Sequence, residues 1–420
     1  MSHPSDVVEV YADLVHASEP LRMGLLRRQP TGRTEVFAFA YDDAWLSGAE
    51  AFTFDPDLAL VGGSQYPPAD RASFGIFLDS SPDRWGRVLM QRRENERARQ
   101  QNRAPRVLTE WDFLLGVHDE TRLGALRFRL PEGGDFIDSD GRSAAPPLTS
   151  IRELQAASLL FEQHEDEERH PQYAQWLSEL FAPGTSLGGA RPKATVRDED
   201  GALCIAKFPS RQDTRDIGGW ELLAHRLAFR AGIRVATARP LRVAESPHTT
   251  FLARRFDRTE AGRRLPFVSA MTLTQRRDGE AGASYLELVD LLQSRGADTR
   301  ADCEELFRRV VFSILIHNTD DHLRNHGFLL TRKGLVLSPA YDINPVPDQT
   351  ELSLAINEVE THCDVQIAMQ SCRDYGLSAR DADRVLNEVR AAVASWREEA
   401  TALQLPRSEQ ALMAAAFRTE

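Results

Sequence analysis

In one polar cluster the chain runs His317-Asn318-Thr319-Asp320-Asp321-His322-Leu323-Arg324-Asn325, and 17 residues after Asn325 the segment Ser338-Pro339-Ala340-Tyr341 ends in Asp342. The first cluster sits between a helix-like apolar run, Leu306 to Ile316, and an apolar strand, Gly327 to Leu330. So many polar groups are poorly suited to a core, where each would need a partner. The fold must therefore place them in a loop at the junction of two elements. Gly327 to Leu330 and Leu335 to Leu337 read as strands joined by the polar turn Thr331-Arg332-Lys333-Gly334. That hairpin returns Asp342 to the neighbourhood of Asn325. Helix caps and turns account for many Asp and Asn residues after a helix, and Asp321 is read as one of these. They do not call for a carboxylate returned by a hairpin.

Phosphoryl transfer needs this inventory. A carboxylate must orient or deprotonate the attacking hydroxyl, while an amide oxygen and a second carboxylate hold the magnesium that bridges nucleotide phosphates. Asp320 fits the first role, and Asn325 and Asp342 fit the others. His322 is placed to hold Asp320 or the loop backbone, and Arg324 to meet phosphate charge.

The 420 residues are enough for two or three domains. A hydrophobic content of 42% and a charged content of 27% are ordinary for a globular chain. No apolar run approaches the ~20 residues that span a bilayer. Met1 to Val8 lacks the basic start and apolar core of a signal peptide. A cytoplasmic protein without membrane contact is expected. Cys204, Cys303, Cys363 and Cys372 form no Cys-x-x-Cys pair and are expected to be free thiols. A net charge of -12 argues against a surface given over to nucleic acid. The arginine-rich stretch from Arg92 to Arg106 reads as a solvated helix face.

Residues 1–130 read as a small α/β unit with strands at Val7 to Leu14 and Val36 to Tyr41. Ser80-Ser81-Pro82-Asp83 has the form of a helix start, with serine caps, an early proline and an acid in the first turn. The helix should run through Arg103 and bury Trp85, Val88 and Leu89. Glycines and prolines across 131–149 suggest a linker, leaving 150–270 and 271–420 as two lobes. Ser150 and Glu153 make a capping box for a helix burying Leu154, Ala157 and Leu160. An acidic turn, Glu165 to Glu168, and a second helix, Pro171 to Phe181, should follow.

Gly184-Thr185-Ser186-Leu187-Gly188-Gly189-Ala190-Arg191-Pro192-Lys193 then precedes a strand from Ala194 to Val196. Glycines let backbone amides approach a phosphate, and Ser186 and Lys193 could add polar contacts; taken alone, the stretch reads more readily as a plain turn between elements. A turn at Asp198 to Gly201 leads to the strand Leu203 to Ala206, which delivers Lys207 for nucleotide phosphates. The helix Gly218 to Ala231 has Trp220, Leu223, Leu227 and Ala228 at core spacing and carries Glu221, either as a natural partner for Lys207 or as an exposed helix glutamate. A strand at Thr250 to Ala253 and a connector at Pro266 to Ala270 follow. Helices are expected at Ser284 to Ser294, Ala301 to Ile316, Asp364 to Tyr375, Ala379 to Leu403 and Ser408 to Phe417.

Glycine loop, lysine strand, glutamate helix, connector, helices, Asp320 loop and Asp342 follow the order of parts in a two-lobed kinase. At these residues the sequence resembles the HipA family, the toxin kinases of bacterial toxin–antitoxin modules. The resemblance covers nearly the whole chain. It is carried by the loop Ser186 to Lys193, by Phe256-Asp257-Arg258, by the Asn-x-Asp-x-His-x-x-Asn spacing from Asn318 to Asn325, and by Tyr341-Asp342. It implies an α+β, two-lobed protein-kinase-like fold with a small N-terminal α/β subdomain and an all-helical C-terminal lobe. It also implies ATP and Mg2+ as cofactors, Asp320 as catalytic aspartate, Asn325 and Asp342 as magnesium ligands, and Lys207 as phosphate lysine.

In the loop, Leu187, Gly188, Gly189 and Ala190 would cover the nucleotide, with Ser186 as the autophosphorylation site. A phosphate there adds about -1.5 to -2 charge, which would eject the loop and inactivate the protein. The implied partners are a helix-turn-helix antitoxin, with DNA reached only through it, and a protein substrate from translation or replication, such as an aminoacyl-tRNA synthetase. Two alternatives stay open from the residues themselves: a small-molecule kinase acting on an alcohol or sugar, and a pseudokinase acting as a partner-bound co-repressor.

Overall fold

The computed structural model describes residues 5–31, 34–48, 52–139, 145–163, 175, 180, 189, 191–243 and 246–418. The chain divides into two compact units, Met1–Gln212 with Asp257–Val268, and Asp213–Phe256 with Ser269–Glu420. Among the described residues no helix is long and apolar enough to cross a membrane. All four cysteines are free thiols.

The first unit opens with an antiparallel sheet of β1 (Val7–Ala12), β2 (Leu21–Thr31), β3 (Thr34–Tyr41) and β4 (Leu126–Arg129), in the order β3-β2-β1-β4. Alternation along β1 buries Val8, Val10 and Ala12. The sequence reading found β1 and β3 but not β2, whose arginines interrupt the apolar pattern. Two of those arginines are paired instead: Arg22 lies 3.3 Å from Glu9, and Arg28 donates from Nε to Asp6 at 2.8 Å. Gly24 is required in β2 because a Cβ there would lie 2.1 Å from the Ala40 carbonyl oxygen.

Helices α1 (Asp43–Leu46), α2 (Gly75–Asp79), α3 (Arg84–Gln100) and α4 (Glu110–Leu115) follow β3. The cap of α3 is Asp83, which accepts from the Gly86 amide at 2.8 Å. The serines expected to cap it bond backward, Ser80 to the Ile76 carbonyl and Ser81 to the Phe77 carbonyl. Trp85 and Leu89 are buried as expected, whereas Val88 faces solvent and Met90 is enclosed. Much of the arginine-rich stretch is not a freely solvated face, since Arg103 pairs with Glu94 and Arg106 with Asp112 at 2.6 and 2.7 Å.

Helix α5 (Ile151–Gln163) buries Leu154, Ala157 and Phe161, with Leu160 half-buried. Ala157 and Phe161 pack with Trp85, Leu89 and Leu180. Apart from Gln175 and Leu180, the expected acidic turn and second helix lie outside the described residues. The hairpin of β5 (Lys193–Arg197) and β6 (Leu203–Lys207) forms as expected, with Lys193 opposite Lys207.

In the second unit, α6 (Ile217–Arg230) is capped by Asp216, which accepts from the Gly219 amide. A hairpin of β7 (Ala238–Leu241) and β8 (Thr250–Arg254) comes next, and the chain re-enters this unit through β9 (Phe267–Ser269). After α7 (Ala270–Leu273) come α8 (Tyr285–Arg295), opened by a Ser284/Glu287 capping box, and α9 (Thr299–Leu315). From Leu306 to Leu315 α9 is buried on every side, as a central core helix must be. The hairpin of β10 (Gly327–Thr331) and β11 (Gly334–Leu337) is followed by α10 (Val365–Gln370), α11 (Ala379–Ala394), α12 (Trp396–Ala402) and α13 (Arg407–Met413). One helix was expected across α11 and α12. The break falls at Ser395, whose hydroxyl bonds to the Ala392 carbonyl.

Just past α9, Asp321 is buried rather than serving as a turn or cap. The Tyr285 hydroxyl donates to Oδ2 at 2.6 Å, the Ser313 hydroxyl at 3.4 Å, and His326 Nε2 lies 3.0 Å from Oδ1. Burial pushes its carboxyl up, but His326 and Tyr285 outweigh that, and the group stays below the usual carboxylate range. Such a depressed group adds stability above its unfolded value of about 3.9, and the contribution is lost as pH falls through the folded value. Removing the Tyr285 hydroxyl takes away a bond to a charged group, a loss of about 1.5–3 kcal/mol. Tyr285→Phe should therefore be destabilised by that amount at pH 7, measured by urea unfolding. The gap from the parent protein should narrow as pH falls below about 4; a gap constant with pH would contradict the assignment.

Candidate active site

The C-terminal end of α9 stops in a tight turn, where His317 takes a left-handed backbone (φ 48°) and the Asn318 amide bonds back to the Ser313 carbonyl at 2.8 Å. A short 3-10 turn at Leu323–Asn325 then closes through the Asn325 amide to the His322 carbonyl at 2.7 Å. Between them Asp321 points inward and Asp320 is exposed. The Asn325 side-chain nitrogen donates to the Asp320 carbonyl at 3.1 Å. This bond fixes the loop and leaves the amide oxygen as the part of Asn325 able to accept or coordinate.

The β10–β11 hairpin pairs Phe328 with Leu337, and the Ser338 amide bonds the Gly327 carbonyl at 2.9 Å. The chain therefore returns beside the loop it left. Tyr341 donates its hydroxyl to the Arg324 carbonyl at 2.6 Å and stacks on Phe256 with ring centroids 5.4 Å apart. Asp342 follows with φ 58°. Partial desolvation raises the Asp320 pKa above its ordinary value. His322 opposes the rise, and the charges of Asp342 and Asp321 add to it. The second unit thus brings Asp320, His322, Asn325 and Asp342 together, as the spacing in the sequence suggested. Arg324 is exposed beside them and meets Asp278 at 3.2 Å, a surface pair worth at most about 1 kcal/mol.

Among the described residues no group of three or more His, Cys, Asp and Glu is arranged to hold a metal ion. Magnesium does not need one. It binds through one or two carboxylates together with substrate phosphates and water, and prefers hard oxygen donors. Asp342 supplies such a carboxylate and Asn325 an amide oxygen whose nitrogen is already committed, so the donor set fits that ion.

The remaining expected site residues are carried by other elements. Lys207 is half-buried at the end of β6 in the first unit, and Glu221 is buried on α6 in the second. Lys193 is enclosed: its ammonium meets Asp83 at 2.9 Å and the Gly189 carbonyl at 2.8 Å, and its own carbonyl accepts from Trp85 Nε1 at 3.1 Å. Ser186, Leu187, Gly188 and Ala190 lie outside the described residues. Sequence reasoning missed Asp83 as the partner of Lys193 and Tyr285 as the support of the Asp320 loop. No local periodicity marks either, because each acts on a residue far away in sequence.

No curated protein sequence matches the chain. Among solved structures it is similar to HipA in the Shewanella oneidensis MR-1 toxin–antitoxin complex of HipA, HipB and operator DNA. The identity is 18%, the TM-score 0.67, and 97% of this chain and 94% of that one are covered. That likeness establishes the α+β fold. A Helicobacter pylori proinflammatory kinase, CtkA, gives a TM-score of 0.36 at 13% identity over 52% of this chain and 93% of its own. That value is too low to bear on the fold. The family model for the HipA-like C-terminal domain matches residues 185–396, which hold β5, β6, the Asp320 loop and Asp342. The chain belongs to the HipA-like family.

Proposed function

We propose that this protein is an ATP- and magnesium-dependent serine/threonine protein kinase, the toxin of a toxin–antitoxin module. The observation that carries the reading is the exposed Asp320 with a raised pKa beside the Asn325 amide and the returned Asp342 carboxylate. Asp320 orients the acceptor hydroxyl and takes its proton; a raised pKa makes it the stronger base once ionised. ATP would supply the phosphoryl group and leave as ADP, with bound magnesium offsetting the phosphate charge. Asn325 and Asp342 hold the cation, with the Asn325 nitrogen spent on the loop backbone. His322 steadies Asp320 by charge, Arg324 meets phosphate charge, and Lys207 serves as the phosphate lysine.

Ser186 in the glycine-rich loop is the proposed site of self-phosphorylation. The Shewanella protein is found with HipB and operator DNA. By likeness to it, the partner proposed here is a helix-turn-helix antitoxin, with DNA contacted through that partner. A substrate among translation or replication proteins accords with the family resemblance.

Removal of a positioned general base costs about 10²–10⁴-fold in rate, whereas an exposed carboxylate contributes little to stability, within about 0.5 kcal/mol. Asp320→Asn should therefore fold normally and lose phosphate transfer by that factor. Intact-mass spectrometry with peptide mapping after incubation with ATP and magnesium checks this. The parent protein should gain phosphate on Ser186 and Asp320→Asn should not. Equal labelling of both would remove Asp320 from its role. An unlabelled parent that phosphorylates a small alcohol would replace the protein-kinase reading.

A further inference from the structure

Asn344 lies two residues beyond Asp342 and makes two bonds with different destinations. Its side-chain nitrogen donates to Asp342 Oδ1 at 3.2 Å, and its backbone amide donates to the Asn318 side-chain oxygen at 3.0 Å. The Asn318 side-chain nitrogen in turn donates to the Ser313 hydroxyl at 3.3 Å, and that hydroxyl reaches Asp321 at 3.4 Å. Chemistry fixes both amide orientations. A carboxylate only accepts, so the Asn344 nitrogen must face Asp342. A backbone N–H only donates, so the Asn318 oxygen must face Asn344. The result is an unbroken run of polar contacts from the buried Asp321 carboxylate to Asp342.

Other bonds lay the same stretch of chain across the Asp320 loop. The Val346 amide donates to the His317 carbonyl at 3.0 Å, and the Ser353 amide and hydroxyl both donate to the Thr319 carbonyl at 3.0 and 2.8 Å. The backbone around Asp342 is therefore held from the loop, while its carboxylate is held by Asn344. We infer that Asn344, itself fixed by Asn318, is a positioning residue that sets the orientation of the Asp342 carboxylate toward magnesium. The inference rests on the proposed reading of Asp342 as a magnesium ligand. Carboxylates that bind metals are commonly hydrogen-bonded from behind, and loss of such a partner costs about 10–100-fold in metal affinity.

The test is equilibrium binding of Mn2+, followed by electron paramagnetic resonance in the presence of a non-hydrolysable ATP analogue. The parent protein is compared with Asn344→Ala, Asn344→Leu and Asp342→Ala, and the metal-free melting temperature of each is recorded. Both Asn344 variants should need about 10–100-fold more Mn2+ for half-occupancy, with metal-free nucleotide affinity and melting temperature near the parent values. The leucine variant keeps the side-chain volume and reads the same quantity if the alanine variant folds poorly. Parent-like Mn2+ affinity in folded Asn344 variants, alongside weakened binding in Asp342→Ala, overturns the role of Asn344 and leaves the reading of Asp342 standing. A lowered melting temperature with unchanged Mn2+ affinity overturns it too, in favour of a purely structural residue. Parent-like Mn2+ affinity in Asp342→Ala removes the magnesium ligand itself, and the inference falls with it.

Discussion

Asp321 keeps a negative charge with almost no access to water, and the arrangement of the Asp320 loop depends on how that charge is met. Tyr285 on α8, Ser313 on α9 and His326 ahead of β10 all approach it. Breaking one side of a buried pair typically costs about 3–5 kcal/mol, so the loop has few alternative conformations near that cost. Asp320 is the next residue back along the same chain and lies exposed. Asp321 is thus held inward while its neighbour Asp320 stays exposed. Two identical carboxyl groups in adjacent positions end with pKa values displaced in opposite directions, a separation of roles produced by environment alone.

The hairpin that returns Asp342 was legible because a two-strand apolar pattern with a polar turn has one simple solution, and β10 and β11 form within a residue of the expected limits. The long core helix α9 and its polar terminus were legible for the same reason: periodicity is local. What stayed hidden depends on contacts distant in sequence. A doubled acid says nothing about which member is enclosed. The choice is made by Tyr285, 36 residues before Asp321. The α3 cap shows the same limit. Ser80, Ser81 and Asp83 are all good capping residues by type, and the two serines are spent on the carbonyls of α2.

Lys193 repeats the device in the first unit. A glycine-rich stretch ending in lysine suggested an amine available to phosphate, yet that amine is closed off by Asp83, a carboxylate that also caps α3. One side chain thus meets two partners, the amide at the positive end of a helix and an ammonium group. Charge pairing of this kind also occupies Arg103 and Arg106. Their density in the sequence reflects internal structure more than a surface for nucleic acid, in keeping with the net charge of -12.

Among the four described non-glycine residues of the second unit with left-handed backbone, His317 and Asp342 flank the site. Such conformations cost on the order of 1–3 kcal/mol and persist only where surroundings over-determine them. The surroundings here do so: the His317 carbonyl accepts from Val346, and the flanks of Asp342 are tied by Tyr341 to Arg324 and by Asn344 to Asn318. Glycine would relieve the strain at position 342 but would remove the carboxylate. The backbone is therefore bent against its preference at the point where a charged side chain is to be delivered beside Asp320.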